Sequence, residues 1–334
     1  MLLNGADAMG SKTASNYDGD FLVSLYKEMV FYRKFEELVN LAYTKRKFSG
    51  FCHLHIGQEA VCVGVQRNLR ASDYILGSYR THTLAIAKGI SPTSVLAELY
   101  GREGGCSKGR GGSMHMFSKE HRFLGGHGIV GGQAPIAAGV GFKIKYSKED
   151  DIVVCLLGDA AMNQGAVFEA MNMVAVWDLP VLYLIENNCY GMGTDIKRTT
   201  NVEHLHQIGQ AFNMPNDKVD GMNVLHVYEK VKEVVGQVRE KRQPYLLEVL
   251  TYRYKGHSVS DPGLYRTKKE VEEYQKLDPI LQLGEMLIEQ KLANADDLKN
   301  WQREAKEVVK AAEVEAESSP FPKNSDAERY VFAE

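Results

Sequence analysis

The chain reads as an α/β fold, a mostly parallel sheet flanked by helices and followed by C-terminal helices. Three observations predict it. Residues 151–157 (DIVVCLL) and 180–185 (PVLYLI) are continuous apolar runs, the pattern of strands buried on both faces. Residues 164–177 between them have the length and spacing of a helix, which makes a βαβ unit. Residues 268–318 read as helices, with Pro279 at a helix start and a highly charged amphipathic run over 296–317.

The remaining elements follow in order. Residues 1–17 form a loose polar arm. From Asp18 the apolar residues Phe21, Leu22, Leu25, Met29, Tyr32, Phe35, Val39 and Ala42 recur at helical spacing, and Asp18 or Asp20 is suited to cap the helix. Residues 50–100 alternate short apolar stretches with turns. Residues 101–133 carry two glycine blocks, 101–112 and 125–132. So much glycine costs backbone entropy, which implies loops that approach a ligand or another backbone closely. A small-residue helix begins at Ala134, a further strand is expected at 245–250, and the tail after Pro320 looks irregular. The boundaries implied are an arm at 1–17, an α/β domain at 18–267 and a helical extension at 268–334.

Length and composition limit the function. A chain of 334 residues can bury a full core. Its formal net charge of -3 gives no reason to expect nucleic acid or an anionic membrane as partner. No apolar run approaches the roughly 20 residues that span a bilayer. The N-terminus lacks a signal-peptide core, and Asp7 and Asp18 argue against a mitochondrial transit peptide. Five cysteines without a CxxC pair fit a reduced, cytoplasmic protein.

The chemistry concentrates where the βαβ strands end. The first strand runs into Gly158-Asp159-Ala160-Ala161 and the second into Glu186-Asn187-Asn188. Parallel strands put both C-terminal ends on one edge, where open α/β sheets bind ligands. Asp159 and Asn188 can therefore meet. A carboxylate and an amide oxygen suit a hard cation such as Mg²⁺, which takes its other ligands from phosphate and water. The helix starting near Asn163 aims its N-terminus at the same spot and favours an anion there. An isolated Asp at a strand end is usually only a cap; the pair on one βαβ unit is what points to a site.

GD at 158–159 followed by NN at 187–188 resembles the thiamine diphosphate motif. The likeness extends to FCHLHIGQEA at 51–60, GSYRTH at 77–82, KGRGGSMHM at 108–116, GIVG at 128–131, ENNCYGMGT at 186–194 and YRYKGHSVSDP at 252–262. Over roughly residues 20–315 the chain resembles the alpha subunits of thiamine-diphosphate-dependent 2-oxo acid dehydrogenases, nearest the pyruvate type. Ala160 stands where the motif usually has its second glycine, and it would be strained only if that backbone needs positive φ.

The resemblance implies a diphosphate-binding half of the thiamine fold, with Mg²⁺ held by Asp159, the Asn188 side chain and the Tyr190 carbonyl. It places Tyr79, Arg80 and Arg253 on the diphosphate, together with Gly158, Ala160 and Ala161. Backbone groups of Gly128 and Val130 would take the aminopyrimidine, and His53 and His257 would line the substrate channel, His257 also touching cofactor. His55 and His115 are assigned no firm role. The implied reaction is decarboxylation of a 2-oxo acid, with the acyl group passed to a lipoyl group on an acyltransferase core. The second thiamine domain is missing, so a beta subunit would supply it in an α2β2 assembly. Ser258 falls where mitochondrial relatives are phosphorylated, but a second such serine is missing because Leu264 directly precedes Tyr265, which argues against kinase control.

Rival readings remain. Acetoin and branched-chain 2-oxo acid dehydrogenases share this pattern. Gly126, Gly128 and Gly131 match a dinucleotide fingerprint, which requires a strand before it; residues 118–124 (SKEHRFL) do not read as one. A non-catalytic scaffold would be expected to lack Asp159 or Asn188. His53-x-His55 and His204-x-His206 lack partners at zinc-site spacing.

Overall fold

Asp18 starts the first helix. Its carboxylate accepts a hydrogen bond from the Asp20 N–H, and α1 runs over Gly19–Thr44. Leu22, Leu25, Met29, Tyr32, Phe35, Val39 and Ala42 are all buried along it, and Phe21 packs partly buried at its start. The computed structural model describes residues 17–326 and 328–329, so the expected arm lies, except for Tyr17, outside the described residues.

The elements that follow are α2 (Glu59–Gln66), β1 (Tyr74–Gly77), α3 (His82–Ala87), α4 (Pro92–Leu99), β2 (Phe123–Gly126), α5 (Gln133–Tyr146), β3 (Val153–Gly158), α6 (Gly165–Val176) and β4 (Val181–Asn187). A two-strand hairpin, β5 (Tyr190–Gly191) and β6 (Thr194–Asp195), precedes β7 (Asn216–Asp220), α7 (Val224–Lys241) and β8 (Tyr245–Leu250). The chain closes with α8 (Lys268–Gln275), α9 (Pro279–Glu289) and α10 (Ala295–Ser318). Six strands form one sheet in the order β2-β1-β3-β4-β8-β7, every pairing parallel. The tail after Pro320 contains one 3-10 turn, Asn324–Asp326.

The register of β3 on β4 sets Gly158 beside Glu186. Asp159 and the Asn187-Asn188 pair thus leave the sheet side by side, as the strand lengths required. A 3-10 turn over Asp159–Asn163 comes between β3 and α6, so the helical amides begin at Asp159 itself rather than near Asn163.

One expectation is corrected. Residues 123–126 are a strand, β2, paired in parallel with β1. The sequence hid it because it is short, glycine-ended and at the sheet edge, where Phe123 alone carries a large buried side chain.

One face of the sheet packs on α5 and α6; the other belongs to a larger core shared by α1, α2, α4, α7, α9 and α10. The C-terminal helices contribute Tyr274, Leu283, Leu287, Val309 and Ala316 to the core that holds Leu22, Leu25 and Met29 of α1.

The first glycine block wraps a buried carboxylate. Glu98, in the last turn of α4 and fully buried, accepts hydrogen bonds from four backbone amides: Ser107 (2.7 Å), Gly109 (2.9 Å), Gly111 (2.6 Å) and Gly112 (3.1 Å). A Cβ at Gly105 would lie 2.3 Å from the Glu98 carboxylate, and one at Gly111 would lie 1.8 Å from the His115 carbonyl. Charge-assisted bonds of this kind offset the desolvation of the carboxylate. The glycines of this block therefore serve close backbone approach.

Candidate functional site

At the C-terminal edge of the sheet, Asp159 is buried. Burial raises its pKa to about 6, against the opposing pull of the backbone N–H groups of Asp159 and Asn188 and of Arg253. Its Oδ2 has no hydrogen-bond partner, and neither has Oδ1 of buried Asn188. Two oxygen acceptors left bare in one buried spot cost free energy unless a donor or cation fills the gap. The set fits a hard cation with few protein ligands. Among the described residues no group of three or more His, Cys, Asp or Glu side chains forms an all-protein metal cage.

The turn that carries Asn188 is held from behind. Asn187 donates through Nδ2 to the buried Glu248 carboxylate (2.7 Å) and accepts the Cys189 N–H at its Oδ1 (3.1 Å). The other Glu248 oxygen accepts the His206 N–H (3.1 Å). Cys189 adopts φ 72°, which turns the chain into β5 and Tyr190. The Tyr190 hydroxyl donates to Glu270 (2.8 Å).

Ala160 is not among the residues of positive φ, so the departure from glycine brings no backbone strain. Its methyl fills space above Gly191, where a Cβ would lie 2.5 Å away. Ala161 is buried beneath it, and Gly158 ends β3.

Two guanidinium groups lie near one another here, and Arg253 acts electrostatically on Asp159. Arg80 is buried and donates to the carbonyls of Leu54 (2.5 Å) and His257 (2.9 Å). Arg253, also buried, reaches the His257 ring (3.3 Å) and the Tyr265 hydroxyl (3.1 Å), while its Nε–H has no partner. No described carboxylate pairs with either one. Burial lowers both pKa values, that of Arg253 to about 10, with Arg80 adding repulsion. Two buried cations with no described carboxylate in hydrogen-bond contact are suited to receive an anion.

His53, Tyr79 and His257 form a ring cluster beside them, with centroids 4.5 Å (His53–Tyr79), 5.1 Å (His53–His257) and 5.4 Å (Tyr79–His257) apart. Burial and the nearby Arg80 depress His53 to about 2 and His257 to about 4. Both rings are neutral at physiological pH. The His53 Nδ1 has no partner.

Gly128 and Val130 lie between β2 and α5, across from this cluster in sequence; the His115 ring sits 3.2 Å from where a Gly128 Cβ would be. Val130 and its neighbour Ile129 are exposed. Gly131 adopts φ +79° against Gln164 and Val167. His55 is structural: its ring bonds Glu186 (2.7 Å) and Thr83 (2.9 Å). His204 meets Lys218 and His206 meets Asn216, so neither marks a zinc site.

The 254–267 loop is folded onto the cluster. Asp261 accepts from the His257 and Gly263 amides and the Tyr265 hydroxyl, and Arg266 donates to the carbonyls of Arg253, Tyr254 and Lys255. Ser258 is buried, its hydroxyl 2.9 Å from that of Ser260. Sequence reasoning assigned no role to Glu36, Glu98, Glu186, Glu248, His82 and Ser113, all buried and all polar.

Fold and site define an α/β protein suited to a divalent cation and a polyanion at one edge of a parallel sheet. The comparisons are specific: the dehydrogenase E1 component family matches residues 27–325, and this chain belongs to it. It is 44% identical over 310 residues to the pyruvate dehydrogenase E1 component subunit alpha of Rickettsia bellii, covering 93% of this chain and 95% of that one. The Rhizobium meliloti protein of that name is 44% identical over 315 residues, covering 94% and 90%. The testis-specific mitochondrial form of Homo sapiens is 42% identical over 310 residues, covering 92% and 79%.

This membership also answers the dinucleotide rival, whose requirement for a strand is met by β2. The acid expected about 20 residues on would fall at 149–151, before β3 and at the opposite edge of the sheet.

Proposed function

We propose that the chain is the alpha subunit of the pyruvate-decarboxylating component of a pyruvate dehydrogenase complex. The observation that carries the reading is the bare pair of acceptors, Asp159 Oδ2 and Asn188 Oδ1, near two buried arginines that no described carboxylate contacts directly. The family is thiamine-diphosphate-dependent, and these residues fit Mg²⁺ and that cofactor's diphosphate.

In this reading Asp159, Asn188 and the Tyr190 carbonyl hold Mg²⁺. Arg80 and Arg253, with Tyr79, bind the diphosphate, helped by the backbone at Gly158, Ala160 and Ala161 at the start of the 3-10 turn. The backbone of Gly128 and Val130 takes the aminopyrimidine. When bound, the cofactor supplies an electron sink for loss of CO₂ from the 2-oxo acid. His53 and His257 serve proton transfer and charge stabilisation at the channel in this reading; burial and the two arginines hold both rings neutral, so either would carry a proton once the anions of cofactor and substrate offset Arg80 and Arg253. The two-carbon unit left after loss of CO₂ would then be taken up by the disulfide of a lipoyl group on the acyltransferase core, which serves as the two-electron oxidant: the S–S bond breaks, one sulfur carries the acetyl group and the other ends as a thiol.

A beta subunit completes the site in an α2β2 assembly. An exposed apolar face supports that partner: Ile136, Phe142 and Tyr146 on α5 and Phe168, Met173 and Val176 on α6, with Trp177 beside them. Tyr146 is 81% exposed and Val176 67%, more than a free surface favours in one patch. A cytoplasmic setting accords with the five free cysteines.

The test is pyruvate turnover with an artificial electron acceptor, using the chain co-expressed with its beta subunit. Turnover should require Mg²⁺, thiamine diphosphate and the beta chain, and should fall steeply but measurably in His53→Ala. Turnover of acetoin or branched 2-oxo acids instead would change the substrate; no thiamine diphosphate binding by the assembly would refute the site.

A further inference from the structure

A line of buried polar groups ends on the backbone of His53. Glu36, on α1, is a fully buried carboxylate. Its Oε1 accepts the His55 N–H (3.0 Å), and its Oε2 pairs with His82 Nδ1 (3.0 Å). His82 Nε2 lies 2.8 Å from the Ser113 hydroxyl, which accepts the His53 N–H (3.3 Å). The directions follow from one end. With the His82 tautomer that donates from Nδ1 to the Glu36 carboxylate, Nε2 takes the Ser113 O–H. That leaves the Ser113 lone pairs for the His53 amide.

The order carboxylate, histidine, serine is that of a nucleophilic triad. Here the serine is 6% exposed, and its oxygen is already engaged by a backbone amide, so it is closed to substrate. The line has another use. The His53 ring makes no hydrogen bond to a described residue, and its Nδ1 is bare. Its position therefore depends on its own main chain and on the rings of Tyr79 and His257.

We propose that Glu36, His82 and Ser113 are positioning residues that fix the 53–55 main chain and thereby aim the His53 ring at the substrate. One carboxylate pins the segment twice, directly at His55 and through His82 and Ser113 at His53. The proposal rests on the reading that His53 stands on the substrate path. Misplacing a catalytic group by about 1 Å costs up to ~100-fold in rate.

The experiment uses the αβ assembly loaded with Mg²⁺ and thiamine diphosphate, and compares Ser113→Ala, His53→Ala and the double variant. Ser113→Ala should lower kcat by roughly 10- to 100-fold and leave half-saturation by thiamine diphosphate unchanged. In the His53→Ala background it should have no further effect, because it acts through that ring. Independent loss in the double variant, or unchanged kcat in Ser113→Ala, would overturn the proposal. Amide hydrogen exchange of residues 51–56 supplies a readout apart from activity: faster exchange in Ser113→Ala upholds the pin, and unchanged exchange refutes it. If His53→Ala alone leaves turnover intact, the reading of His53 falls, and exchange still decides the pin. Ser113→Cys, with a weaker hydrogen-bonding group of similar size, replaces the alanine variant if that one fails to assemble, with the same criteria.

Discussion

Replacing Asp159 with asparagine should make the metal-free protein more stable while abolishing its response to cofactor. Burial lifts the Asp159 pKa from 3.8 to about 6. A carboxylate raised on folding contributes stability below its unfolded pKa and loses it as pH rises through the folded value. The loss therefore accumulates between pH 3.8 and about 6 and stays in full above that. About two pH units correspond to ~3 kcal/mol. The amide keeps the shape of the carboxylate and cannot ionise, so Asp159→Asn should exceed wild type by up to ~3 kcal/mol above the folded pKa and show little gain near pH 4. Unfolding midpoints of the assembly in chelator, followed from roughly pH 4 to roughly pH 8, measure the difference. With Mg²⁺ and thiamine diphosphate at about 100 times their dissociation constants, wild type should gain ~2.7 kcal/mol and the variant nothing. A variant less stable than wild type in chelator at the upper end of that range, or a gap that does not grow with pH, would refute the account of Asp159 as a charge waiting for a cation.

Arg253→Met should raise the half-saturating concentration of thiamine diphosphate at least ~10-fold and raise metal-free stability, because burial and Arg80 disfavour the charged guanidinium in the fold; titration calorimetry and unfolding together check this, and a variant less stable than wild type without cofactor would refute it. Glu98→Gln should destabilise by about 3 kcal/mol or more, since its amide turns donors toward donors in the 105–112 loop; denaturant unfolding measures it. Gly191→Ala should weaken Mg²⁺ binding, because the new methyl meets Ala160 at 2.5 Å. Adding Ala160→Gly should restore it, and failure of the second change to rescue would mean the two positions do not share that space.

Much of this was legible in the sequence because it rests on local pattern. The apolar runs fixed β3, β4 and β8, and α1 follows from period and an Asp cap. Asp159 and Asn188 could be paired because parallel strands leave little choice of edge. Strand β2 was hidden because an edge strand of four residues needs little hydrophobicity. The positioning residues were harder. Glu36 sits between Phe35 and Val39 on the inward face of α1, and a charge inside an apolar stripe signals a buried partner. The partner itself, His82, is 46 positions away and no local rule names it. The first glycine block suggested a close ligand or backbone, and only the structure identifies the Glu98 carboxylate as what it encloses.

The packing of α10 against α1 has a consequence during synthesis. The apolar stripe of α1 leaves the ribosome early, but Ala305, Val309, Ala312 and Ala316, which share its core, come about 260 residues later. At ordinary elongation rates that is an interval of roughly 15–50 s. Throughout it a growing chain exposes one of its most hydrophobic surfaces with its mate still unmade. Chaperone capture of nascent chains is expected to peak before the last helix emerges, and truncation just short of α10 should leave an aggregation-prone product rather than a smaller folded one.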